Sequence, residues 1–145
     1  MINSKFKNYT INCGLLVIFF LTALFVNGQQ TWKDGKTSVV CLTYDDAMDS
    51  QLDHAIPQLD KYDMKGTFYL KGSSPALYHR MEEWRASAAN GHELGNHTLF
   101  HPCSGKRFPN RERARDIDFY TIKQFLTEVR TANTLLKSID GKNRH

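Results

Sequence analysis

Short apolar segments alternate with longer segments of helical periodicity, and this alternation constrains the fold more than any other feature of the sequence. Residues 38–43 and 66–70 are rich in apolar, β-branched or aromatic side chains and predict strands, and residues 92–97 are interpreted as a short third strand that breaks into a loop at Gly95. Residues 51–62, 75–89 and 122–139 carry apolar side chains at helical spacing. The order strand, helix, strand, helix, strand, helix predicts an α/β domain with a parallel sheet.

Several residues refine this prediction at the segment ends. The unbroken apolar run 38–43 predicts a strand covered on both faces, as in parallel sheets. Pro57 interrupts or restricts the first helix. Ser74 and Pro75 predict the start of the second helix, and Gly141 predicts the end of the third.

The first 28 residues are interpreted as a secretory signal peptide rather than as part of the domain. Lys5 and Lys7 precede an apolar run over residues 14–26, and cleavage is expected between Gly28 and Gln29. Thirteen apolar residues fall short of the roughly 20 that a membrane-spanning helix needs. The sequence therefore predicts a mature part, 29–145, that is secreted or periplasmic and has no stable membrane span after cleavage.

The charge balance does not favour nucleic acid as a partner. The chain has 19 basic and 15 acidic residues, and removing Lys5 and Lys7 leaves 17 basic residues and a net charge of +2. No basic stripe interleaved with aromatic residues is present. The cluster RERARD, residues 111–116, is interpreted as a solvated loop that leads into a helix.

The predicted mature part contains two cysteines, Cys41 and Cys103. Because Cys41 lies in the apolar run, we expect it to be a buried free thiol. A disulfide between the two residues remains an alternative in an exported protein.

Chemically active side chains follow two of the predicted strands. Asp45 and Asp46 end the first strand, and His97 and His101 follow the third. The carboxyl ends of parallel strands are where sites are built in α/β folds. If residues 97–101 form one helical turn, both imidazoles project from one face. Two imidazoles and a carboxylate make a three-ligand metal site, although an aspartate pair can also simply cap a helix.

The remaining histidines have simpler interpretations. His92 lies within the third predicted strand beside Glu93, which favours a structural, hydrogen-bonding role. His54 and His79 are expected to face solvent on helices.

The motifs TYDD and GHELGNHTLFH, joined by the stretch AIPQLDKYDMKGTFYL, resemble the NodB-like polysaccharide deacetylases, carbohydrate esterase family four. The resemblance covers residues 38–141. It implies a distorted (β/α) barrel, of which this chain is about the first half and lacks the family's later motifs. Ala47 stands where the family usually has glycine.

The resemblance also implies roles for individual residues. Asp45 is expected to be the general base, and Asp46, His97 and His101 the metal ligands. Thr98 is similar to the family's Ser or Thr between the histidines, and it is expected to orient the loop together with Asn96. Zinc is the expected divalent metal, and cobalt, nickel or iron also fit two imidazoles and a carboxylate.

The implied function is metal-dependent removal of N- or O-acetyl groups from a polysaccharide of chitin, peptidoglycan or xylan type, with release of acetate. The partner is then an acetylated polysaccharide or oligosaccharide. A catalytically inactive, secreted glycan-binding or vestigial fragment is the first alternative, since the later motifs are absent. A glycosidase is the second, but it needs two carboxyl groups about 5–9.5 Å apart across the sugar, which adjacent aspartates fit badly. The particular polysaccharide and the oligomeric state are left open.

Overall fold

The computed structural model describes residues 32–110 and 112–144, and they belong to two units, residues 1–39 and residues 40–145. The predicted signal peptide and its cleavage point at Gly28 lie outside the described residues. In the first unit, the 3₁₀ turn Lys33–Gly35 is closed by an antiparallel bridge between Trp32 and Lys36. None of the helices in the described ranges is both long enough and apolar enough to cross a membrane.

The second unit is built on a parallel sheet of three strands, β1 (Thr43–Asp45), β2 (Thr67–Leu70) and β3 (Glu93–Asn96). The spatial order follows the chain order, β1-β2-β3. The register places Tyr44 opposite Phe68 and Phe68 opposite Leu94. The prediction of an α/β domain with parallel strands is confirmed, and the carboxyl ends of β1 and β3 lie at the same edge of the sheet.

Helices connect the strands and cover one face of the sheet. The first helix, α1, begins as a π-helical turn and continues as α-helix, and a break at Arg80 divides the predicted second helix into α2 and α3. The bounds are Gln51–Ala55 and Ile56–Lys61 for the two parts of α1, Pro75–His79 for α2, Met81–Ala89 for α3 and Ile122–Asp140 for α4. Short 3₁₀ turns occur at Arg113–Arg115 and Ile117–Phe119.

The residues at the helix ends explain where the helices begin and end. Pro57 lies in the first turn of the α-helical part of α1, where its missing N–H is tolerated. The N-terminus of α4 has a capping box between Thr121 and Gln124. Gly141 takes the left-handed conformation, φ 75°, that ends α4 as predicted.

The core lies between the sheet and the helices. Phe68 and Leu94 are completely buried on the covered face, where Tyr44 stacks on Phe68 with ring centroids 4.8 Å apart. Trp84 of α3 and Leu136 of α4 close the core from the helical side. Each such side chain contributes roughly 1.5–3 kcal/mol on burial, so the covered face holds the sheet and helices together.

The prediction of a fully covered strand over residues 38–43 is wrong in two respects. The strand begins only at Thr43, and Asp45 points to a face that is exposed among the described residues. Val40 is 80% exposed, and Cys41 is exposed rather than buried. Nothing in the described ranges covers the side chains of Val40 and Cys41, so they have no surface to pack against. Cys41 and Cys103 are both free thiols.

The predicted structural role of His92 is confirmed. The imidazole is completely buried and its Nδ1 accepts the Gly66 N–H at 3.1 Å. Its Nε2 therefore carries the proton and lies 3.1 Å from Asp60 Oδ1. The hydrogen bond from Lys65, followed by that from His92, holds the pKa of Asp60 below its usual range. His92, which directly precedes β3, thus contacts both α1 through Asp60 and the start of β2 through Gly66. His54 and His79 are exposed, as expected.

Candidate metal centre

The three predicted ligands converge at the carboxyl edge of the sheet. One side-chain atom from each of Asp46, His97 and His101 lies within 4.8 Å of the other two. His97 Nε2 is 3.8 Å from Asp46 Oδ1, and the two imidazole rings have centroids 4.6 Å apart. Two ligand atoms that each lie about 2 Å from one ion are at most about 4 Å apart, so binding an ion would draw the most widely separated atoms slightly together. The structure therefore brings together the three residues that the sequence selected.

The two histidines approach each other through a loop, and residues 97–101 do not form the helical turn that would have placed both imidazoles on one face. Thr98 and His101 have φ values of 60° and 52°, in the left-handed region, so the backbone does not follow a right-handed helix. Asn96 Oδ1 accepts the Thr98 N–H at 2.7 Å, and Thr98 Oγ1 accepts the His101 N–H at 2.9 Å. These side chains supply the turn in place of a helical ladder. The supporting roles of Asn96 and Thr98 in metal binding remain predictions.

This loop, residues 97–101, is hereafter the metal loop, and it is attached to α4 and to the segment after β2. Asn96 Nδ2 donates to the Val129 carbonyl at 2.9 Å and to Asn133 Oδ1 at 2.6 Å. The Gly72 N–H donates to the Thr98 carbonyl at 3.0 Å. A Cβ at Gly72 would lie 2.6 Å from Leu99 Cδ1 and 3.3 Å from Leu99 Cα, so a side chain at position 72 would require the Leu99 side chain to move.

Asp46 is placed by a sharp turn after β1. Asp46 and Ala47 have φ values of 76° and 54°, and Ala47 is completely buried. The Ala47 carbonyl accepts Ser74 Oγ–H at 2.6 Å, and Gln51 Nε2 donates to the Asp45 carbonyl at 2.5 Å. The turn thus adopts, with alanine, the conformation that glycine takes most easily.

The chemistry of the site fits a divalent metal. Asp46 Oδ1 is buried and has no hydrogen-bond partner among the described residues. Lys71 Nζ lies 3.6 Å away and His97 Nε2 3.8 Å away, both beyond hydrogen-bonding distance. A buried carboxylate oxygen without a donor is costly, and a cation between it and the two imidazoles would remove that cost.

Asp45 ends β1 with an exposed side chain, on the face opposite the ring of Tyr44. It is the next residue along the chain from Asp46, and its backbone is held by Gln51. The structure thus places a solvent-accessible carboxylate at the same strand end as the cluster. Its role as a general base remains a prediction.

Sequence reasoning did not single out three neighbours of the site. Lys71 directly follows β2, so its position at the same sheet edge could have been read from the strand order. The ring of Tyr69 lies 6.5 Å from that of His97. Cys103 Sγ lies 3.4 Å from His101 Nδ1, and an Nδ1–H tautomer would donate to the sulfur and leave Nε2 for an ion. No sequence pattern could have identified this last contact.

A cavity of about 480 Å³ adjoins His101. Its wall includes the guanidinium-bearing Arg107, the exposed ring of Phe108 and the amide of Asn110. Aromatic and polar side chains thus line the same cavity.

A sequence model of polysaccharide deacetylases matches residues 33–145, which include the sheet, the helices and the cluster. The chain belongs to the polysaccharide deacetylase family. The family motifs thus lie in a structure that places their side chains together. A segment of 74 residues, 51% of this chain, is also 34% identical to gellan lyase from a Bacillus species, and it covers 3% of that protein.

Solved structures share the fold of this family member. Peptidoglycan deacetylase PdaC from Bacillus subtilis is 24% identical, with a TM-score of 0.54 over 72% of this chain and 45% of PdaC. A family-four carbohydrate esterase pseudoenzyme from Bacillus anthracis is 19% identical, with a TM-score of 0.54 over 72% of this chain and 32% of the pseudoenzyme. At these identities the likeness establishes the fold, a portion of the deacetylase (β/α) barrel. The chain spans less than half of either structure.

Proposed function

We propose that this chain is part of a metal-dependent hydrolase that removes N- or O-acetyl groups from a polysaccharide of chitin, peptidoglycan or xylan type and releases acetate. The convergence of Asp46, His97 and His101 in a member of the polysaccharide deacetylase family carries the proposal. The activity belongs to the whole protein, of which the chain supplies the metal ligands and the base.

The proposed residues divide the work. Asp46, His97 and His101 hold a divalent ion, preferably zinc, which supplies a Lewis acid for the acetyl carbonyl and for water. Asp45 is not needed as a ligand, and its exposed carboxylate accepts the proton of the attacking water. Lys71 Nζ lies 3.6 Å from Asp46 Oδ1 and is the ammonium group beside that ligand.

The proposed location and substrate are consistent with each other. A secretory signal over residues 1–28 would deliver the chain to the compartment where structural polysaccharides occur. The cavity beside His101, with the ring of Phe108 in its wall, would hold a sugar residue next to the proposed ion.

An inactive, glycan-binding protein is the second candidate. Solved structures of this fold include both a deacetylase and a pseudoenzyme, so the fold itself does not determine activity. A hydrolase and an inactive glycan-binding protein are therefore distinguished by whether Asp45 and the metal cluster support acetate release.

Acetate release from acetylated chito-oligosaccharides and xylo-oligosaccharides with added zinc tests the proposal. Asp45→Asn should lower the rate by about 10²–10⁴ while zinc still binds, because it removes a base and no ligand. Asp46→Ala should abolish both zinc binding and acetate release. The matched control is Asp49→Asn, which alters an exposed aspartate three residues further along, paired with Arg80.

The outcomes separate the candidates. If the whole protein binds zinc and oligosaccharide but releases no acetate, that result contradicts the hydrolase proposal and supports the glycan-binding one. Shortened oligosaccharides instead of acetate would indicate a glycosidase.

A further inference from the structure

Glu128 is a buried carboxylate that the proposed reaction does not use. It lies on α4 with only 6% of its surface exposed. A buried carboxylate is costly unless donors satisfy its oxygens. Two donors do so: the backbone N–H of Phe100 donates to Oε2 at 3.1 Å, and the hydroxyl of Tyr120 donates to Oε1.

The position of Phe100 makes this contact informative. Phe100 lies in the metal loop between His97 and His101, and directly before His101. The hydrogen bond from its N–H therefore attaches the middle of the loop to α4. Asn96, directly before the loop, is also attached to α4, through Val129 next to Glu128 and through Asn133 just over one turn further along.

The metal loop needs such attachment. Thr98 and His101, on either side of the Phe100 contact, both have positive φ. Such a backbone conformation costs free energy and persists only where the surrounding structure enforces it. Without the Glu128 acceptor, the Phe100 N–H would lose its hydrogen bond to α4, and the backbone before His101 could relax. The imidazole of His101 would then move relative to Asp46 and His97.

We propose that Glu128 is a positioning residue for the metal centre: through the N–H of Phe100 it sets where the His101 imidazole stands relative to the other two ligands. Glu128 itself touches neither ion nor substrate. This inference rests on the proposed metal site, and it concerns a hydrogen-bond acceptor rather than a charge.

The acceptor role predicts how two variants differ. In Glu128→Gln, the amide oxygen can accept the Phe100 N–H while the amide NH₂ donates to the Tyr120 oxygen, whose own proton turns to the Ala114 carbonyl 3.2 Å away. Glu128→Ala removes the acceptor altogether. We expect Glu128→Ala to weaken zinc binding by about 10–100-fold, the range found for partners that orient metal ligands, and Glu128→Gln to bind close to wild type.

The experiment measures the zinc dissociation constant of the full chain by competition with a chromophoric chelator. Ile139→Val, a one-methyl deletion in the core part of the same helix, is the control for a general loss of stability. Wild-type affinity in Glu128→Ala would overturn the proposal. So would equally weak binding in Glu128→Gln, or in the Ile139→Val control.

A second measurement does not depend on metal. Without zinc, amide hydrogen exchange followed by NMR should accelerate at Phe100 and His101 in Glu128→Ala but not in Glu128→Gln. Unchanged exchange in Glu128→Ala would overturn the positioning role. If wild-type chain binds no zinc while exchange responds as expected, the metal-site proposal fails and the control of the loop by Glu128 stands.

Discussion

At the scale of single residues, backbone strain is concentrated at the candidate site. Asp46, Ala47, Thr98 and His101 all have positive φ without being glycine, and each costs about 1–2 kcal/mol. Side chains around them, including Ser74 and Asn96, accept or donate the hydrogen bonds that hold these turns. Strain of this kind persists where the surrounding structure determines the backbone, as it does around these four residues.

Ala47→Gly should stabilise the chain slightly. Glycine relieves about 1–2 kcal/mol of strain at φ 54°, whereas loss of one buried methyl costs about 0.8 kcal/mol. We expect a net gain of a few tenths to about 1 kcal/mol in the free energy of unfolding, measured in urea. Ala89→Gly, an exposed helical site, is the control and should lose stability. A large loss in Ala47→Gly would show that packing of the methyl outweighs strain.

Asn96→Ala should both destabilise the chain and weaken zinc binding. It removes the acceptor of the Thr98 N–H and the donor to Asn133, which leaves partly buried groups unpaired at a cost of about 1–3 kcal/mol. Urea unfolding and zinc titration measure the two effects. Asn90→Ala, an exposed asparagine at the end of α3, should change neither. An unchanged metal affinity in Asn96→Ala would contradict its supporting role.

At the scale of elements, α4 connects the site to the rest of the sheet. Residues in the middle of α4 form hydrogen bonds with the metal loop and with Asn96 directly before it. The segment after the C-terminus of α4 contacts β3. Arg144 Nη2 donates to the Leu94 carbonyl at 2.7 Å and also pairs with Asp140 in the last turn of α4. Burial raises the pKa of Asp140, but the Arg144 guanidinium and the Lys142 N–H outweigh it and hold the pKa below its usual range.

This pair predicts a pH dependence. Because the pKa of Asp140 is lower in the folded chain, its contribution to stability is complete above the unfolded value of about 3.9 and is lost as pH falls through the folded value. Asp140→Asn should therefore reduce stability at neutral pH, and the difference from wild type should vanish in strong acid. Unfolding curves at a series of pH values measure it, with exposed Asp63→Asn as control. A difference that persists in strong acid would mean that the ionised carboxylate is not responsible.

At the scale of the whole unit, the candidate ligands come from two distant parts of the chain. Asp46 follows β1, whereas His97 and His101 follow β3, so an ion at the cluster would connect the two outer strands of the sheet. Binding to the folded state alone adds about 2.7 kcal/mol of stability at a zinc concentration 100 times the dissociation constant. The open face of the sheet, with the exposed Asp45 and Tyr69, adjoins the same edge.

Zinc should therefore raise the thermal unfolding midpoint of the wild-type chain in a concentration-dependent way. Asp46→Ala should abolish the shift, and Asp49→Asn should keep it. Differential scanning calorimetry over a zinc series is the measurement. A full shift in Asp46→Ala would place the ion elsewhere.

Much of the fold could be predicted because its signals are local. The α4 periodicity, its Thr121 cap and its Gly141 end are properties of neighbouring residues, and the structure agrees with them. The strand beginning at Thr43 and the break at Arg80 could not be predicted in the same way. The start of the strand follows the exposure of Val40, which is a property of the folded chain. The break at Arg80 accompanies contacts of Arg80 with Asp49 and Asp53, which are distant in sequence.

For the site, the sequence by itself determined the candidate ligands and their meeting place, because the carboxyl ends of parallel strands necessarily share an edge. Only the tertiary structure decided how the imidazoles approach each other. The metal loop is irregular, and its conformation depends on Asn133 and Glu128, about 30 residues further along the chain. Local periodicity carries no information about such contacts, since they form only when α4 packs beside β3.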